Sequence, residues 1–131
     1  SGSWFVPRET RGGDVEWISK ETPENAVVMT TRPTTYYLYV KRQFVNLSLP
    51  TIDEENLIRL IRTYNVDYVI GPVLDHPLQV TSSYNSSGGK RLRATISQLA
   101  KRGIFVSRYV LGDVDEVIFQ VDKRKLALEK P

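Results

Sequence analysis

Glu54–Val73 reads EENLIRLIRTYNVDYVIGPV. Leu57, Leu60, Ile61 and Tyr64 recur at the spacing of one helical face and form a single apolar stripe. Glu54, Glu55, Arg59 and Arg62 fall largely off that stripe. Acids at the start and arginines toward the end suit the helix dipole. Just upstream, Thr51 and Glu54 have the spacing of a capping box, in which each side chain satisfies a backbone amide of the other's turn. Asn65 can take the left-handed position that ends the helix. Asp67–Val73 is dense in apolar and β-branched residues and reads as a buried strand. A helix that feeds directly into a buried strand is the building unit of an α/β fold.

Working outward, the same alternation continues. Asp14 can cap a short helix over Val15–Glu21, which Thr22-Pro23 stops, because a residue before proline avoids helical angles. Ala26–Thr30 is a short continuous apolar run, as expected of a central strand covered on both faces. Thr34–Val40 carries Tyr36, Tyr37 and Tyr39 and reads as a short packing helix; its rings could also serve as an aromatic platform. Phe44–Leu49 alternates with period two, so it is a half-exposed or edge strand closed by Pro50. Leu74–Gly89 is a long irregular stretch, and such loops tend to be functional. Lys90–Arg102 is the last long helix, stopped at Gly103. Ile104–Leu111 and Val114–Val121 flank Gly112-Asp113 as a hairpin. The expected fold is therefore α/β: a Rossmann-like three-layer sandwich with a mostly parallel sheet of about five strands, ending in an antiparallel hairpin. The expected order is 2-1-3-4-5, with the hairpin supplying an antiparallel edge strand. Residues 1–13, opening Ser1-Gly2-Ser3, read as a cloning remnant and linker, 14–121 as one α/β domain, and 122–131 as a charged tail that frays or extends as a helix.

Composition narrows the chemistry. The 131 residues suffice for one domain, and 40% hydrophobic with 25% charged residues is a globular balance. No run approaches the ~18 apolar residues of a membrane span, and no apolar leader is visible. There are no cysteines, which excludes disulfides and thiolate metal sites, and one histidine is too few for an ordinary zinc site. No metal or cofactor is expected. The net charge of +3 is mildly basic, without the stripe or motif of a nucleic-acid binder, so no nucleic-acid partner is expected.

Two clusters could carry binding. In an open α/β sheet, ligands sit beyond the carboxyl ends of the strands, which here collects Thr31 and Arg32 after the first strand and Asp75 and His76 after the third. Ser87, Gly88, Gly89, Lys90 and Arg91 form a glycine-rich start of a helix, where free amides can meet an anion. Lys90, Arg91 and Arg93 oppose the helix dipole, a mismatch that an anionic ligand would relieve. This is not a Walker A loop: Tyr84 stands where its first glycine belongs, and Arg91 where Ser or Thr should hold magnesium. Asp75-His76 could act as a base pair or as half of a metal site, but a lone loop pair is more often ordinary surface. Asn46-Leu47-Ser48 and Asn85-Ser86-Ser87 are glycosylation sequons if the domain is extracytoplasmic. No GxSxG elbow or HExxH motif is present, so no catalytic residue is assigned.

Glu16–Thr30 (EWISKETPENAVVMT) resembles the "W-I-x-x-x-T-P-x-x-A-V-V" entry of a family of soluble tail domains. Tyr37–Arg42, Val45–Pro50 and Glu54–Ile70, the last ending in "Y-x-V-D-Y-V-I", follow in that family's order. These domains follow the multi-span part of glycosyltransferases similar to dolichyl-phosphate-mannose-dependent mannosyltransferases and oligosaccharyltransferase-like proteins of archaea and bacteria. The tryptophan-aspartate motif of oligosaccharyltransferase tails is absent here, which sets the chain apart from that branch. The resemblance implies an extracytoplasmic accessory domain of a multi-pass membrane protein, non-catalytic alone, whose catalytic acids lie in the membrane part. Its implied partners are that membrane part and a lipid-linked sugar or acceptor. The alternative is a soluble Rossmann-like module binding a nucleotide or phosphorylated ligand through Ser86–Arg91.

Overall fold

The computed structural model describes residues 13–48, 52–80 and 84–130. The elements run α1 (Gly13–Glu21), β1 (Val27–Thr30), α2 (Pro33–Tyr37), β2 (Gln43–Asn46), α3 (Glu54–Tyr64), β3 (Tyr68–Pro72), α4 (Ser87–Lys101), β4 (Phe105–Val110), β5 (Glu116–Val121) and α5 (Lys123–Ala127). The α/β alternation holds. Trp4, Phe5 and the rest of the entry, together with Pro50 and Thr51, lie outside the described residues.

The sheet is mixed, in the order β2-β1-β3-β5-β4. β1 pairs in parallel with β2 and β3, whereas β5 is antiparallel to both β3 and β4. The expected order 2-1-3-4-5 is therefore corrected: the antiparallel strand is internal, and β4 takes the edge. The reason lies in the two strands' side chains. β5 (EVIFQV) is buried almost throughout, as a position between two neighbours demands. β4 (FVSRYV) exposes Val106, Ser107 and Arg108 and carries an irregular register between Ser107 and Tyr109, both usual on an edge.

Successive strand residues point to opposite faces. Val27, Met29, Val69, Val117 and Phe119 join α3, α4 and α5 in one apolar cluster through Leu57, Ile61, Leu92, Ile96, Leu99 and Leu126. Val28, Ile70 and Ile118 join Ile18 of α1 and Tyr36 of α2 in a second. Fully burying a leucine such as Leu57 contributes about 1.5–3 kcal/mol, so these clusters are what fixes the helices on the sheet.

Local signals explain the element ends, with revisions. Asp53 caps α3, accepting from Asn56 N at 2.8 Å, and the expected pairing of Thr51 with Glu54 lies outside the described residues. Asn65 closes it at φ 51, the left-handed position its side chain tolerates. α1 already begins at Gly13, so Asp14 lies inside the first turn and its carboxylate accepts instead from Tyr36 Oη at 2.5 Å. The tail forms α5, capped by Asp122 and anchored by buried Leu126. Arg62 of α3 donates to the carbonyl of Leu126 in the last turn of α5 and to those of Glu129 and Lys130 just beyond it.

Gly88 and Gly89 do not form a turn before a helix; they lie in the first turn of α4, whose cap is Ser86. Gly89 is buried, and a Cβ there would lie 2.8 Å from the backbone of Tyr84. The glycine thus lets the incoming loop cross the helix start. Gly89→Ala should cost about 1–2 kcal/mol by overpacking. Chemical denaturation checks this, and an unchanged midpoint would mean that the loop is free to move aside.

Candidate functional site

The carboxyl ends of β1 and β3 and the first residue of the antiparallel β5 share one edge of the sheet, where Pro72 registers with Glu116. Thr31 and Arg32 leave β1 here. Glu116 opens β5 with only 1% of its surface exposed, directly before the apolar run Val117, Ile118 and Phe119. Arg32 Nη2 pairs with Glu116 Oε1. Tyr84 Oη donates to Glu116 Oε2 at 2.6 Å and lies 2.8 Å from Thr31 Oγ1. The Arg32 guanidinium also sits 5.5 Å over the Tyr36 ring, whose hydroxyl is the one held by Asp14. A chain of polar contacts thus runs from α1 through α2 and the end of β1 to β5 and the loop.

Burial sets the electrostatics. Desolvation pushes the Glu116 carboxyl above its ordinary 4.5, against the pull of Arg32 and Tyr84, so the carboxylate is held by its partners at a cost. Burial likewise raises the Tyr36 and Tyr84 phenols, with the Asp14 and Glu116 carboxylates adding to it, so both remain protonated donors at neutral pH. The side chain of Arg32 is 40% exposed and is the cluster's opening to solvent.

His76 is buried beside this edge. Its Nδ1 accepts from Leu78 N at 3.2 Å, which assigns the proton to Nε2, and Nε2 donates to the Glu116 carbonyl at 3.3 Å. Both ring nitrogens are engaged with the backbone, and burial lowers its pKa. Asp75 is exposed as an ordinary surface pair would be, but His76 is not surface: its ring is buried and pinned by the backbone. Asp115 is also buried, and Arg93 Nε lies 3.3 Å from its Oδ2. That nitrogen's hydrogen is directed at the Val73 carbonyl, so the carboxylate is attracted by the charge without a directed hydrogen bond. Among the described residues, no three His, Asp or Glu side chains group as a metal site requires.

The sequence-derived edge residues therefore separate. Thr31 and Arg32 meet in one cluster, His76 supports it through main chain, and Asp75 stands apart. Ser87, Gly88, Gly89, Lys90 and Arg91 occupy the first turn of α4. There Ser86 Oγ already accepts from Gly89 N at 3.1 Å, taking an amide that an anion would need. Lys90 and Arg91 are exposed, and Arg93 turns inward to Asp115. Asn46 at the end of β2 and Asn85 before α4 are both exposed. The sequence reading missed Glu116, Tyr84, Tyr36 and Asp14. The usable signal was an acid placed directly before the apolar run Val117-Ile118-Phe119.

Tyr84→Phe keeps the ring and removes one donor to a buried carboxylate. It should cost about 1.5 kcal/mol, typical of a hydrogen bond to a charged group. A thermal or urea midpoint equal to the parent's would show that water replaces the hydroxyl.

Comparison with family models, curated proteins and solved structures finds no match.

Proposed function

We propose that the chain is the extracytoplasmic accessory domain of a membrane-embedded glycosyltransferase-like protein, built as a Rossmann-like three-layer sandwich and non-catalytic by itself. One observation carries this reading. At the edge where an α/β sheet ordinarily receives its ligand, the side chains around Glu116 are spent on one another: Glu116 on Arg32 and Tyr84, Tyr84 also on Thr31, Tyr36 on Asp14. Such a cluster ties β1, β5 and the long loop into one rigid body, which suits a scaffold.

The order of motifs from Glu16 to Ile70 supplies the class of parent protein. Among the described residues, no helix is long and apolar enough to cross a membrane. In this reading the spans, the catalytic acids and the sugar-donor site belong to the preceding part of the polypeptide. The domain's partner is that part, and through it the lipid-linked sugar or acceptor.

The full-length reading frame tests it. Eight or more apolar spans, each of about 20 residues, are expected upstream of Ser3. A free-standing reading frame without them would overturn the proposal.

A further inference from the structure

Among the described residues, large apolar side chains that remain exposed are mostly scattered singly, at Tyr64, Leu74, Val106 and Leu128. One place differs. Tyr37, Leu38 and Tyr39 are consecutive and 63%, 75% and 71% exposed. They form the turn from α2 into β2. The turn is held from behind by buried Tyr36 and Val40, with Tyr39 N and Val40 N both donating to Tyr36 O at 3.0 Å. The three side chains are thus presented on a fixed support.

Two observations point to what covers them. The first is size. At about 200 Å² for a large side chain, the tip offers roughly 400 Å². That is half of the ~800 Å² per partner in a stable protein interface. It is ample for seating a few side chains at a lipid boundary. A leucine between two tyrosines matches that boundary: the aliphatic group enters the acyl region, and the phenols keep their hydroxyls at headgroup level. The second is charge. The sheet edge at which β2 begins is also where β1 and β3 begin and β5 ends. By chain position, Lys41, Arg42, Lys101, Lys123, Arg124 and Lys125 gather there, against Glu21, Glu24, Asp67 and Asp122. Asp67 and Lys123, 3.5 Å apart, offset each other, and Asp122 caps α5, while the Arg42 guanidinium donates to the carbonyls of Ile18, Ser19 and Thr22. The excess is cationic and complements anionic headgroups.

We propose that Tyr37–Leu38–Tyr39 is a docking tip that seats this edge of the domain on an anionic phospholipid surface. The proposal deepens the membrane-attached reading above and rests on it for its place in the cell. It gives the domain an orientation: the amino-terminal ends of the parallel strands face the bilayer, and the Arg32–Glu116 edge faces away.

Vesicle flotation of the full chain tests it, with liposomes of phosphatidylcholine alone or mixed with phosphatidylglycerol. The chain should float with the mixed vesicles, less with phosphatidylcholine alone, and less again at high salt. The triple variant Tyr37→Ala, Leu38→Asp, Tyr39→Ala should lower the bound fraction by about tenfold or more, because it places a charge where an apolar group was seated. Its circular dichroism should be unchanged, since all three side chains are exposed.

No flotation with the mixed vesicles, or flotation that survives the triple substitution, would overturn the proposal. So would concentration-dependent self-association that the triple variant abolishes without any lipid binding, which marks a protein interface instead. Upstream spans in a protein whose chain does not float would remove the docking tip alone. Flotation by a chain with no upstream spans would remove the parent-protein reading alone.

Discussion

Arg32→Ala is expected to destabilise the domain by about 3 kcal/mol at neutral pH, at the low end of the cost of breaking a buried ion pair. The low end applies because the arginine side chain is partly exposed, so water already screens one side of the pair. What remains is Glu116, buried and charged, with Tyr84 Oη still donating to it. The pH dependence has a definite sign. Glu116 has a folded pKa raised above its ordinary 4.5, so the folded state binds its proton more tightly than the unfolded chain does. Its favourable contribution is fully present below 4.5 and is lost as pH rises through the folded value. Removing Arg32 removes a group that lowers that value, so the loss moves to higher pH. Urea titrations of the variant should therefore show stability recovering as pH falls from 7 toward 5, more steeply than in the parent. Glu116→Gln added to Arg32→Ala should flatten that slope. A pH-independent loss would mean that the pair is not the electrostatic unit described.

Phe119→Ala should cost about 3–5 kcal/mol, since a fully buried phenylalanine leaves both its transfer energy and a cavity behind. Phe119 lies in the middle of β5, registered with Val69 on one side and Ser107 on the other, with its ring 5.6 Å from that of Phe105. Val106→Ala on exposed β4 should cost no more than about 0.5 kcal/mol. Were β5 the edge and β4 internal, the ranking would shrink or reverse. Urea midpoints of the two variants decide this. Amide exchange offers a second reading: β5 amides should exchange only on global opening, β4 amides through smaller fluctuations.

What was legible in the sequence was local. The stripe Leu57, Leu60, Ile61, Tyr64, the left-handed Asn65 and the buried run after it depend on neighbours a few residues apart, and they read correctly as α3 and β3. The order of the last two strands was legible in principle. Ser107 and Arg108 are poor tenants of an internal strand, whereas Val117, Ile118 and Phe119 are good ones. Side-chain character, not chain order, sets which of the two strands is internal. Thr31 and Arg32 could be placed at the strand ends from topology alone. Their partners could not, because Arg32 meets Glu116 across 84 positions, and Tyr84 reaches Thr31 across 53. A carboxylate at a hairpin exit looks like solvated surface until the strand it opens is known to be internal. The glycines before Lys90 misled for a related reason. Their spacing suits an anion loop, but Gly89 is required by the close passage of the Tyr84 backbone.

Under the proposed reading, sugar-transfer activity of the full-length protein carrying Arg32→Met with Glu116→Gln measures most directly whether this domain is scaffold or catalyst. The pair removes the charges at the sheet edge while keeping similar side-chain volumes. If those charges only hold the domain together, sugar transfer in membranes should proceed within about twofold of the parent wherever the domain stays folded. A fall of a hundredfold or more, about 2.7 kcal/mol in the barrier, with the fold intact by circular dichroism, would place Arg32 and Glu116 in the chemistry and contradict the account.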